Sequence, residues 1–74
     1  MKYTNEYKQA AYKLAATTDV TKLTNDELLA AKEAAKDYHF YAQMSDDYNV
    51  TRREIDQINK EMAAANEEMK KRGI

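Results

Sequence analysis

Across 74 residues this chain contains no proline and a single glycine, Gly73, which stands next to last. Tight β-hairpins lean on residues that accept positive φ, glycine above all, and proline marks the edges and turns of most sheets. A chain so short of both reads as helices joined by Thr-, Asp- and Asn-rich connections. Abundant Ala, Lys and Glu agree, since these side chains lose little rotamer freedom in a helix.

Three segments carry helical grammar. In the first, about 5–16, Thr4 stands where an N-cap would, and Tyr3, Tyr7, Ala10, Ala11 and Leu14 recur on one side of a 3.6-residue period, with Tyr12 off that stripe. Thr17 to Lys22 then favours side-chain bonds to the backbone over helix. The second segment, about 25–46, opens on Thr24-Asn25-Asp26-Glu27, a capping box, with Leu23 and Leu28 as its hydrophobic staple. Leu28, Ala31, Ala35, Tyr38 and Ala42 continue at 3-4 spacing, and past Tyr41 the pattern slips to Met44 and Tyr48. The third, about 52–72, repeats the signal with Thr51-Arg52-Arg53-Glu54 as box and Val50 and Ile55 as staple. Ile55, Ile58, Met62, Ala65 and Met69 form a strict heptad seam. Lys70, Lys71 and Arg72 oppose the negative end of the helix dipole, and Gly73 and Ile74 suit a left-handed stop. The expected fold is all-α: an antiparallel hairpin of 25–46 and 52–72 across an Asp46–Val50 turn, with the shorter 5–16 helix packed on it as a three-helix, bundle-like single domain.

The segment Leu23-Thr24-Asn25-Asp26-Glu27-Leu28-Leu29, followed by a helix with a basic end, resembles the opening of small helical-hairpin regulators such as the sporulation antikinases of bacilli. The resemblance covers about half the chain and implies a shared hairpin form. The first helix and the alanine-rich face have no counterpart in it, and no binding residue carries over.

The residues argue against several chemistries. No cysteine is present, so neither a disulfide nor a thiolate metal site can be built. The one histidine, His39, has Glu33 and Asp37 off its expected face, which leaves no orienting carboxylate for a general base. One glycine cannot form a phosphate-cradling loop. Asp46 and Asp47 lack the alternating acids and the turn glycine of a calcium loop. The expectation is no enzyme, no metal and no cofactor. The opening Met1-Lys2-Tyr3-Thr4-Asn5-Glu6 has no apolar leader core and no run suits a bilayer, so no membrane and a cytoplasmic location are expected.

Charge is close to balanced, 12 basic against 13 acidic residues, but unevenly spread. Residues 1–23 sum to +2 (four Lys, two acids), 24–49 to −4 (two Lys, six acids) and 50–74 to +1 (six basic, five acidic). That is far from the positive balance of a nucleic-acid binder, so nucleic acid is not the expected partner. The acidic centre, Asp26, Glu27, Glu33, Asp37, Asp46 and Asp47, admits two uses, a solvated and capping role or a phosphate-like row.

Six tyrosines are more than one small core can bury. They serve either as the rim of the core or as an interface, where tyrosine's rigid area and polar tip concentrate binding energy. The residues nominated for partner contact are Tyr12, Tyr38, Tyr41, Asp46, Asp47, Tyr48, Arg52 and Arg53. The core is also thin in large aliphatics, which leaves a monomer and a homodimer both open. The expected function is a protein–protein interaction module, an inhibitor or adaptor of the kind phages and mobile elements encode, acting by occluding a host or defence protein. The alternative is a homo-oligomeric helical DNA-associated regulator using Arg52, Arg53 and the C-terminal basic turn.

Overall fold

The computed structural model describes residues 3–74; Met1 and Lys2, part of the opening read for a leader, lie outside the described residues. Three helices follow in order, α1 (Asn5–Thr17), α2 (Asn25–Gln43) and α3 (Tyr48–Arg72), with one 3₁₀ turn, Val20–Lys22, between the first two. Among the described residues there is no strand, and the three helices pack on one another as an all-α, bundle-like fold. At about 1.5 Å per residue the 25 residues of α3 account for the 37 Å long axis of the molecule. Among the described residues, no helix is long and apolar enough to cross a membrane.

Local chemistry sets each boundary. Thr4 caps α1, its hydroxyl accepting from the Tyr7 amide at 3.1 Å. Asp19 then closes the connection by accepting from the amide (3.0 Å) and hydroxyl (2.8 Å) of Thr21. These hydrogen bonds hold its carboxyl below the usual aspartate range. The capping box of α2 is complete: the Glu27 amide donates to Thr24 Oγ1 (3.1 Å) and the Thr24 amide to Glu27 Oε1 (2.8 Å). Its staple residues Leu23 and Leu28 are both buried.

The second box corrects the sequence reading. α2 stops at Gln43 rather than 46, and α3 begins at Tyr48, a full turn before the expected start at 52. The cap is Asp47, whose carboxylate accepts from the amides of Asn49 (2.9 Å) and Val50 (3.3 Å), while Ser45 Oγ accepts from the Asp47 amide (3.2 Å). Thr51 is inside the helix and its hydroxyl donates to the Ala42 carbonyl at 2.9 Å, pinning α3 to the end of α2. Ser45, Asp46 and Asp47 compete for backbone bonds and end one helix while starting the next, so the turn is shorter and earlier than Asp46–Val50.

The heptad seam of α3 faces inward: Ile58, Met62, Ala65 and Met69 are buried and Ile55 half-buried. α2 is the central helix. Ala30 and Ala31 are both fully buried although adjacent positions diverge by about 100°, which requires neighbours on two sides. Those neighbours are α1 and α3.

In α1 the packed side differs from the expected stripe. Ala11 and Ala15 are buried and Tyr12 half-buried, whereas Tyr7, Ala10 and Leu14 are exposed. The helix is turned by about one position because small side chains let its backbone approach α2 closely. Three side chains in or just before α1 contact α2: the Tyr3 hydroxyl donates to Asp26 (3.2 Å), Lys8 pairs with Asp37 (2.6 Å) and the Tyr12 ring lies against Tyr38. Tyr12 also reaches α3, so α1 touches both arms of the hairpin.

The chain closes as its basic end and glycine suggest. Gly73 takes φ 75°, its amide donates to Lys70 O (3.2 Å) and the Ile74 amide to Met69 O (3.0 Å), the paired bonds of a Schellman stop. Arg72 turns back on the fold. Its Nε pairs with Glu68 (2.8 Å), and its two terminal nitrogens donate to Asn25 Oδ1 (2.9 Å) and to the carbonyls of Val20 (3.4 Å) and Thr21 (3.2 Å).

Candidate protein-binding groove

Because α1 is rotated to bring Tyr12 inward, three tyrosines from two helices converge over α3. Tyr12 and Tyr38 meet edge to face with ring centroids 4.9 Å apart, a favourable arrangement of aromatic quadrupoles. Tyr41, one turn after Tyr38 on α2, stands 68% exposed beside them. From α3 come Arg53, Glu54, Gln57, Ile58 and Glu61. Together these side chains line an open groove of about 490 Å³.

The floor is apolar and held in place. The Tyr12 hydroxyl donates to Glu61 Oε1 at 2.5 Å, and Gln57 donates to the other oxygen of the same carboxylate at 3.2 Å. Partial burial first, then the Glu61 hydrogen bond and charge, push the Tyr12 hydroxyl well above the usual tyrosine range. The bond to Glu61 fixes the Tyr12 hydroxyl as a donor, with its ring presented to the groove. Exposed Arg53 and Glu54 form a rim of opposite charges.

Four of the eight nominated residues, Tyr12, Tyr38, Tyr41 and Arg53, thus share this one groove. The other four sit at the hairpin tip. Asp47 is the α3 cap, while Asp46, Tyr48 and Arg52 are exposed around it. Adjacent in sequence, Arg52 and Arg53 project about 100° apart on α3, and only Arg53 lines the groove.

Two residues at the tip were not nominated. Phe40 and Met44 are 60% and 66% exposed, and the Phe40 ring lies 5.8 Å from that of Tyr41. Their spacing was the available signal: at i and i+4 they fall on the side of α2 opposite Ala31, Ala35 and Ala42. Ile58, Gln57 and Glu61 were likewise readable as part of α3, but nothing local told that Tyr12 would face them.

The remaining candidates are largely occupied by the fold. Among the acids of the centre, Asp26 accepts from Tyr3, Glu27 and Asp47 cap helices, and Asp37 pairs with Lys8. That pair raises the lysine above its usual range, chiefly through the hydrogen bond. Arg72, the innermost of the C-terminal bases, is turned to its own chain. His39 lines a smaller groove between α2 and α3 with Lys32, Lys36, Asn59 and Asn66, and no carboxylate is among the residues that line it. The chain matches no protein-family model, no curated protein and no solved structure to a significant degree.

Proposed function

We propose that this chain is a small protein-interaction module whose contact site is the groove between Tyr12, Tyr38, Tyr41 and Ile58. The observation that carries the reading is the convergence of three tyrosines from two helices on one open cleft, with a polar rim of Arg53, Glu54 and Gln57. An apolar, aromatic centre inside a charged rim is the anatomy of a binding hot spot. The most economical role for a chain of this size is an inhibitor or adaptor, of phage or mobile-element type, that occludes a host or defence protein.

The test is retention of a host protein on the immobilised chain, compared between the wild type and a Tyr41→Ala, Arg53→Ala double variant. Both positions are exposed, so helicity should be unchanged. Loss of a hot-spot residue costs about 2 kcal/mol, or roughly 30-fold in affinity. Equal retention by a folded double variant would exclude the groove as the contact site.

A further inference from the structure

At the hairpin tip, beyond the groove, three large side chains are left uncovered within nine residues: Phe40 (60% exposed), Met44 (66%) and Tyr48 (72%). We propose that this tip is a self-association face, on which a second copy of the chain seats about a two-fold axis.

Area is the first argument. Exposed to this degree, three side chains of roughly 200 Å² each offer about 400 Å² of mostly apolar surface. A standard interface removes about 800 Å² per partner and is a little over half apolar. The tip supplies that apolar share, and the exposed Gln43, Ser45, Asn49 and Arg52 around it supply a polar border.

Charge decides in favour of a second copy. Asp46 precedes Tyr48 by two residues, and Arg52 follows it by one helical turn. Both are exposed, and among the described residues neither has an ion-pair partner. With the Asp47 carboxylate occupied as the α3 cap, the free charges of the tip are one acid and one base. A strongly acidic or basic partner gains nothing from such a surface. In a two-fold interface residue i meets j and j meets i, so each Asp46 can meet the other copy's Arg52, and the pair forms twice.

The experiment is sedimentation equilibrium of the full chain from micromolar to millimolar concentration. The mass should rise from 8.6 kDa toward twice that value. A Phe40→Glu, Tyr48→Glu variant, with helicity checked by circular dichroism, should remain at the monomer mass throughout. Arg52→Asp alone should weaken association about tenfold, by losing two ion pairs and setting like charges together. Asp46→Arg combined with Arg52→Asp should restore it. A wild type that stays monomeric at millimolar concentration overturns the proposal. So does association that survives the double Glu variant, or a charge swap that fails to rescue. Tyr41 and Arg53 serve the groove test and are left unchanged here, so either site can fail without the other.

Discussion

At the scale of single residues, the α2–α3 turn separates two threonines that look alike in sequence. Thr24 closes a full capping box, whereas Thr51 spends its hydroxyl on the Ala42 carbonyl from inside α3. Removing the true cap, Asp47→Ala, should cost about 1 kcal/mol. Thr51→Val should cost less, about 0.5 kcal/mol, because the Ala42 carbonyl keeps the Ser45 amide as a donor. Urea midpoints of the two variants check the order, and a larger loss at Thr51 would return the cap to that position. Tyr12 carries a second prediction. Its hydroxyl pKa is raised in the folded state, so its contribution is present below the unfolded value of 10.0 and is lost as pH climbs above it. Chemical denaturation between about pH 9 and pH 11 should show a steeper fall for the wild type than for Tyr12→Phe.

At the scale of elements, what was legible followed from how local each signal is. The α2 box and staple need only six consecutive residues, Leu23 to Leu28, and the α3 seam needs only its own period, so both were readable directly. The start of α3 was misplaced because two caps compete within one turn. Asp47 wins, since its carboxylate reaches two amides while the Thr51 hydroxyl finds Ala42. The rotation of α1 was hidden for another reason. Weighting by size put Tyr7 and Leu14 inside, but the packing uses Ala11 and Ala15 to bring two backbones together. The aromatic surplus was visible as composition; its convergence into one groove depends on that rotation and was not. The seam itself is testable. Ile58→Asp would place an unpaired charge among Ala35, Tyr38 and Met62, at about 3–5 kcal/mol, enough to unfold so small a domain. Retained helicity by circular dichroism at neutral pH would contradict the packing.

At the scale of the whole molecule, one side chain closes what the core alone holds loosely. Arg72 joins the C-terminal end of α3 to the 3₁₀ turn and to the first residue of α2, which lie 47 to 52 positions earlier in the chain. Arg72→Ala should lower stability by about 1–2 kcal/mol. Arg72→Lys should recover little, because an ammonium cannot present the planar fork that reaches Glu68 and Asn25 together. Thermal melts of the two variants would distinguish this bridge from simple charge compensation at the helix end, for which lysine would serve equally well. The same closure fixes the direction in which anything joined after Ile74 must depart. It leaves from the extremity remote from Phe40, Tyr48 and the tyrosine cleft, so a tether or fused domain there would hold both proposed contact surfaces outward like a probe on a stalk.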